Sequence, residues 1–205
     1  MIGILDYGMG NLLSVYNAFD YFGVEVVFCK TPADLETVER IVIPGVGAFK
    51  DCMNKLNAEN FISTLNEQVL EKKKPTLGIC LGMQIMAKMS FEGGKNEGLG
   101  WFDAEVIKLH PQTDNFKIPN IGWDEVQYCN GFPLFKGISQ NSDFYFVHSY
   151  YMKCESKSDI VAHYNHSFDV TAAISKANIF ATQFHPEKSQ DNGLKVIENF
   201  INWVP

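Results

Sequence analysis

The sequence lacks any apolar run near the roughly 20 residues needed to span a bilayer, and it has no repeat, low-complexity tract or linker. Its start, "MIGILDYGMG", has neither a basic n-region nor a cleavage site, so no signal peptide is expected. Basic residues are few: 17 Lys and Arg stand against 24 Asp and Glu, a formal charge of −7. The one basic run, Lys72-Lys73-Lys74, closes an apolar-periodic stretch, where cations favour the negative end of a helix. Such a charge pattern argues against a nucleic-acid partner. Five cysteines, at 29, 52, 80, 129 and 154, give an odd number with no CxxC pair. A disulfide framework is thereby excluded, and reduced thiols in a cytosolic protein are expected.

What is present suits one continuous domain over 1–205. Hydrophobic residues make up 46% of the 205 and charged residues 20%, enough for one full-sized core and cramped for two. "IGILDY" (2–7), "EVVFCK" (25–30), "RIVIPG" (40–45) and "TLGIC" (76–80) are apolar runs of strand length. Between them Leu12, Val15, Phe19 and Phe22 recur at helical spacing up to Gly23. Thr31-Pro32 reads as an N-cap with proline at the first helical position, and Phe61, Leu65 and Val69 mark another helix. "GMQIMAKM" (82–89) has helical composition. This alternation predicts an α/β fold, with a mostly parallel central sheet flanked by helices. After residue 100, "AEVIKL", "DFYFVHSYY", "DIVAHY", "DVTAAIS" and "IFATQFH" follow one another closely and predict additional antiparallel strands. A last helix is expected over 193–203.

Two motifs lead nowhere. Gly8-Met9-Gly10 begins like a dinucleotide fingerprint, but Leu13 holds the third glycine position and Lys30 stands where an acid should end the second strand. "HYNH" (163–166) spaces two histidines without an evident third metal ligand, so it reads as a surface pair.

Cys80 is different. Gly78-Ile79-Cys80-Leu81-Gly82 is G-x-C-x-G, the thiol counterpart of a nucleophile elbow. The sharp strand-to-helix turn needs small neighbours, and the helix N-terminus favours the thiolate. The pentapeptide fits a buried cysteine between close-packing glycines equally well. "ATQFHPE" (181–187) tips the balance: strand alternation puts His185 and Glu187 on one side, a base with a carboxylate to orient it. Together they form a candidate Cys80–His185–Glu187 triad. In "IPGVGAF" (43–49), glycines flank Val46 after a strand; this is either a plain strand-to-helix turn or a segment whose N–H groups, with that of Leu81, form an oxyanion hole.

These motifs resemble the class I glutamine amidotransferases, whose G-x-C-x-G-x-Q elbow is matched by Gly78 to Gln84 and whose H-P-E is matched by His185 to Glu187. Further motifs, "DYGMGNL" (6–12), "GLGW" (98–101), "IPNIGWDEV" (118–126), "FYFVHSYY" (144–151) and "QFHPEKS" (183–189), resemble within that class the glutaminase subunits of imidazole glycerol phosphate synthases. Asn120 and Asp124 depart from that subgroup's usual histidine and asparagine.

The resemblance implies that Cys80 attacks the carboxamide of L-glutamine while His185, oriented by Glu187, moves the proton. It implies an oxyanion hole at Val46, Gly47 and Leu81, and substrate contacts from Gln84, Glu92 and the backbone of Ser149 and Tyr150. It implies a docking face with Asn11, Trp123, Tyr145 and Lys188 for a (β/α)8 cyclase that receives ammonia in a heterodimer, and no cofactor or metal. The products would be imidazole glycerol phosphate and an aminoimidazole carboxamide ribotide, on the histidine pathway. Three other readings compete: a paralogous glutaminase serving a surface-sugar amidino-forming enzyme, a partner-independent cysteine hydrolase or peptidase, and a catalytically silent binding subunit. The first differs in its acceptor, the second does not need Gln84, and the third predicts a missing triad member.

Overall fold

The computed structural model describes residues 1–113 and 115–205. Its first half alternates strands and helices: β1 (Ile2–Leu5), α1 (Leu12–Asp20), β2 (Val26–Cys29), α2 (Asp34–Thr37), β3 (Arg40–Gly45), α3 (Phe49–Ala58), α4 (Phe61–Asn66), β4 (Thr76–Cys80) and the single turn α5 (Leu81–Gln84). The second half is chiefly strand: β5 (Ala87–Ser90), β6 (Asn96–Glu97), β7 (Phe102–Lys108), β8 (Asn120–Tyr128), β9 (Ser142–His148), β10 (Tyr150–Cys154), β11 (Ile160–Asn165), β12 (Asp169–Lys176) and β13 (Ile179–Thr182), before α6 (Gln190–Asn202).

Nine strands form one sheet in the order β2-β1-β3-β4-β13-β12-β11-β8-β9. Pairing is parallel from β2 to β13 and antiparallel from β13 to β9. Of the parallel strands, β1, β3, β4 and β13 are buried on both faces, as their unbroken apolar runs require, while the edge strand β2 leaves Phe28 exposed. Ile2, Ile4, Val42, Leu77 and Ile79 join one core with Val15 and Phe19 of α1 and Val196, Ile197 and Phe200 of α6. Leu5, Ile41 and Ile43 join the other with Phe49, Cys52 and Leu56 of α3, Phe61 and Leu65 of α4, and a smaller sheet. That sheet runs β10-β7-β5-β6.

Several local expectations need correcting. The stretch 82–89 is helical only to Gln84, after which Ala87–Ser90 is a strand. Local composition loses here to tertiary pairing: Leu99 and Trp101 donate backbone hydrogen bonds to Ile85 and Met86. Gly98 lies so close beneath the chain that a Cβ there would sit 2.2 Å from the Ala87 carbonyl oxygen. The run 143–151 is two strands, not one, because the chain leaves the large sheet after His148 and enters the small one at Tyr150. β13 is antiparallel to β12 but parallel to β4, so it joins the two halves of the sheet. The helix after Thr31-Pro32 begins at Asp34, whose carboxylate accepts from the N–H groups of Lys30 and Thr31. The helix marked by Phe61 passes into a wider π turn at Glu67–Glu71. The last helix begins at Gln190 rather than 193 and ends at Asn202. All five cysteines are free, and no described helix is long and apolar enough to cross a membrane.

Candidate active site

Strands β3, β4 and β13 end side by side, and loops leaving the carboxyl ends of such strands form the crevice of an open α/β sheet. Gly45, at the end of β3, is in register with Cys80 at the end of β4. β13 ends at Thr182 and runs directly into Gln183 and His185. Sheet topology therefore delivers all three sequence motifs to one cavity of about 390 Å³.

Cys80 has φ +54° and ψ −108°, a conformation costing a non-glycine residue on the order of 1–3 kcal/mol. Its glycine neighbours explain how the turn fits. A Cβ on Gly82 would lie 1.8 Å from the carbonyl oxygen of Ile43, and one on Gly78 would lie 2.6 Å from the Met86 terminal methyl and 2.9 Å from the Ala181 Cβ. Both glycines are needed for close approach, and the strained cysteine is held between them at 7% exposure. Its Sγ receives a long hydrogen bond from Gln183 Nε2 at 3.6 Å and lies 3.9 Å from the Val147 carbonyl oxygen.

His185 Nδ1 bonds Glu187 Oε1 at 2.8 Å, with both side chains 2% exposed. Its Nε2 is buried without a partner at ordinary hydrogen-bond distance, and the ring shares the cavity lining with Cys80. Burial pulls the imidazole pKa down, but the charge and hydrogen bonding of Cys80, followed by those of Glu187, overcome it and leave the pKa raised to about 10. This raised proton affinity suits the ring to take the Cys80 proton. Ser189 fixes the turn, its Oγ donating to the His185 carbonyl and accepting from the Tyr145 N–H.

Val46, Gly47 and Leu81 all line the cavity. Gly47 has φ +102°, and Val46 is 40% exposed. Their segment is held at both ends. Tyr7 donates its hydroxyl to the Pro44 carbonyl at 2.9 Å, and Glu92 Oε2 accepts the Phe49 N–H at 2.8 Å. Glu92 also lines the cavity, so this carboxylate braces the start of α3 while facing the space for a ligand. Gln84 is more committed than its motif suggests: Nε2 donates both its protons, to Tyr150 O at 2.8 Å and Gln183 Oε1 at 3.0 Å. Its carbonyl oxygen is what remains for a ligand. Ser149 and Tyr150 lie at the sheet switch and also line the cavity.

Of the expected docking residues, three are contiguous. Trp123 meets Tyr145 edge-on with ring centroids 5.8 Å apart, and Lys188 Nζ lies 5.8 Å from the Tyr145 ring centre. Asn11 is exposed at the start of α1, which packs against the Pro186–Lys188 turn. Trp123 and Ile121 are 46% and 59% exposed, giving this rim an apolar character. The buried polar residues Gln183, His148, Tyr164 and Tyr7 were not anticipated. Gln183 was accessible to alternation, being two residues before His185 on one strand face; the others meet the site only through tertiary pairing.

Residues 3–203 match the family model described as glutamine amidotransferase class-I. The chain is 49% identical over 202 residues to a protein of Campylobacter jejuni named imidazole glycerol phosphate synthase subunit HisH 1, covering 98% of this chain and 99% of that one. A Leptospira borgpetersenii protein named imidazole glycerol phosphate synthase subunit HisH is 45% identical, covering 98% and 100%. Among solved structures, PurLQS of Thermotoga maritima superposes with a TM-score of 0.75 at 19% identity, covering 98% of this chain and 97% of its own. Another Thermotoga maritima structure, of a glutamine amidotransferase, gives 0.63 at 18%, covering 98% and 82%. At such identities the structures speak for the fold.

Proposed function

This chain belongs to the class I glutamine amidotransferases, and from that premise we propose that it is the glutaminase subunit of an imidazole glycerol phosphate synthase. The observation that carries the reading is the convergence of a strained elbow cysteine and a buried, carboxylate-oriented histidine in one cavity, in a chain 49% identical to a subunit of that name.

In the proposed mechanism Cys80 Sγ attacks the side-chain carboxamide carbon of glutamine as His185 Nε2 takes the thiol proton. The tetrahedral oxyanion is met by the N–H groups of the Val46–Gly47 segment and Leu81. His185 Nε2 then gives its proton to the leaving nitrogen, the C–N bond breaks, and ammonia departs from the thioester. Water, deprotonated by His185, cleaves the thioester and releases glutamate. Glu187 holds the ring throughout. Glu92, the Gln84 carbonyl oxygen and the turn at Ser149 and Tyr150 hold the amino-acid end of the substrate.

The ammonia passes to a cyclase partner, proposed to be a (β/α)8 barrel in a heterodimer, which uses it to form imidazole glycerol phosphate and an aminoimidazole carboxamide ribotide in histidine biosynthesis. The exposed Trp123 and Ile121, with Tyr145 and Lys188 beside the cavity mouth, support docking there. The alternative acceptor is a surface-sugar amidino-forming enzyme, a reading raised by Asn120 and Asp124, the two departures from the family pattern, which bond to each other on the strand that carries Trp123. Glutamate release from glutamine by the purified chain, alone and with each candidate partner, tests both. Activation by the cyclase supports the first, activation by the sugar-modifying enzyme alone supports the second, and an inert chain with either defeats the glutaminase reading.

A further inference from the structure

A continuous series of hydrogen bonds runs from the docking strand to the nucleophile. Asn120 Nδ2 donates to Asp124 Oδ2 at 2.8 Å and to the Tyr164 hydroxyl at 3.3 Å. The Tyr164 hydroxyl meets His148 Nε2 at 2.9 Å, and His148 Nδ1 meets the Tyr150 carbonyl at 2.8 Å. That same carbonyl accepts Gln84 Nε2, which also reaches Gln183, which reaches Cys80 Sγ. Asn120, Tyr164, His148, Gln84 and Gln183 are all at most 8% exposed.

Every donor in this series is fixed by its neighbour. A carbonyl oxygen only accepts, so His148 must carry its proton on Nδ1 and its Nε2 must accept. Tyr164 must then donate to it, which leaves the phenol oxygen to accept from Asn120. The ring is held neutral for this role: burial lowers the pKa of His148 to about 4. A second proton on Nε2 would reverse this bond, turning the Tyr164 hydroxyl into an acceptor from both the ring and Asn120.

We infer that Tyr164, flanked by Asn120 and His148, is a positioning residue for the Cys80 reaction. Through the Tyr150 carbonyl and Gln84 it sets where Gln183 holds the sulfur, and it takes its own orientation from the Asn120–Asp124 pair. The "HYNH" segment is thus not the surface pair expected: His166 is buried against the Lys117 carbonyl, and the tyrosine is what reaches the network. This inference deepens the proposed function and rests on Cys80 being the nucleophile.

The test is Tyr164→Phe, which removes one hydroxyl and keeps the ring, with Asn120→Ala and the double variant, all in complex with the cyclase partner. Two rates are read: glutaminase kcat and KM, and labelling of Cys80 by iodoacetamide, resolved from Cys129 by peptide mass mapping. Tyr164→Phe is expected to lower kcat on the order of tenfold with KM within about twofold, and to change the labelling rate. Asn120→Ala is expected to act in the same direction and to add nothing in the Tyr164→Phe background. Unchanged kcat and labelling, losses confined to melting temperature, or effects that multiply in the double variant would overturn the inference. If Tyr164→Phe does not fold, Asn120→Ala alone must alter both rates or the inference fails. If the unmodified complex does not hydrolyse glutamine, the functional reading falls while the labelling series still decides the positioning role.

Discussion

At the back of the cavity Gln84, Gln183, His148 and His185 are each at most 6% exposed, and each is hydrogen-bonded to a named partner. At the lip, Val46 is 40% exposed and Gly47 takes a positive φ. Side chains hold that lip at Pro44 and Phe49. The back is preorganised, with the nucleophile and base fixed before a ligand arrives. The lip has fixed ends and a rotatable middle. A site built this way can keep its chemistry in place and control it through the oxyanion donors alone.

The largest effect should come from breaking the back. Cys80→Ala is expected to lower partner-activated glutamine hydrolysis by about 10⁴-fold or more while leaving the circular dichroism spectrum intact. A diazo-oxo-norleucine reagent should label Cys80 and leave Cys29, Cys52, Cys129 and Cys154 unmodified. His185→Ala should be similarly crippling and Glu187→Gln less so, since the carboxylate works through the ring it orients. Retained hydrolysis in Cys80→Ala, or labelling centred on Cys29 or Cys154, would remove the triad from consideration.

Next comes the acid stability of the same wall. His148 has a pKa of about 4 when folded against an ordinary value of 6.5, with burial the main cause. Between those values the unfolded chain binds a proton that the native state does not. Stability from this residue is therefore complete above about pH 6.5 and lost as pH falls to about 4, a change of about 3 kcal/mol. His185 acts in the opposite sense, its contribution present below 6.5 and lost as pH rises through about 10. Urea denaturation across pH 4 to 7 should show a steeper acid loss in the parent than in His148→Gln. Parallel curves would show that His148 titrates normally and that the back of the cavity is wetter than described.

Much of this architecture could be read in the residues themselves, and the rest depends on which strands meet. Apolar runs such as "RIVIPG" and "TLGIC" marked buried parallel strands because burial on both faces leaves no alternation. The elbow was legible because its glycines stand at fixed positions around the cysteine, although what denies Gly82 a Cβ is the Ile43 carbonyl of β3. Helix α3 was not marked as a helix even though Phe49, Cys52 and Leu56 recur at helical spacing, since two lysines, an asparagine and an aspartate lie between them. The sheet switch at Ser149 left no turn signature, as neither glycine nor proline interrupts "FVHSYY". Tyr164 and His148 become neighbours only once β8, β9 and β11 are assembled, so no spacing rule reaches them.

The lip supplies the third prediction. The chain alone is expected to hydrolyse glutamine about a hundredfold more slowly than the ligand-loaded complex, the size of one missing oxyanion donor at about 3 kcal/mol. Docking would select the peptide orientation that aims an N–H at the oxyanion. Steady-state kinetics on the chain alone, with apo partner, and with partner plus its nucleotide substrate measure this directly. Full activity in the chain alone would make the lip as preorganised as the back and favour a free-standing hydrolase.

The smallest effect is the most discriminating, because it asks whether back and lip are separate units. If the hydrogen bonds from Asp124 to Cys80 form one network, substitutions within it cannot be energetically independent. Asp124→Asn replaces a charge-assisted bond to Asn120 by a neutral one and frees that amide to turn away from Tyr164. In a Tyr164→Phe background there is no hydroxyl left to lose. Unfolding free energies of the two single variants and the double are therefore expected to miss additivity by about 1 kcal/mol. Gly47→Ala shares no hydrogen bond with this network; its added Cβ would meet the Met9 terminal methyl at 3.0 Å in a backbone conformation that disfavours side chains. Combined with Asp124→Asn it should add to within about 0.5 kcal/mol. Coupling between Gly47 and Asp124 as large as that between Tyr164 and Asp124 would show one cooperative cavity, and activation could then no longer be assigned to the lip alone.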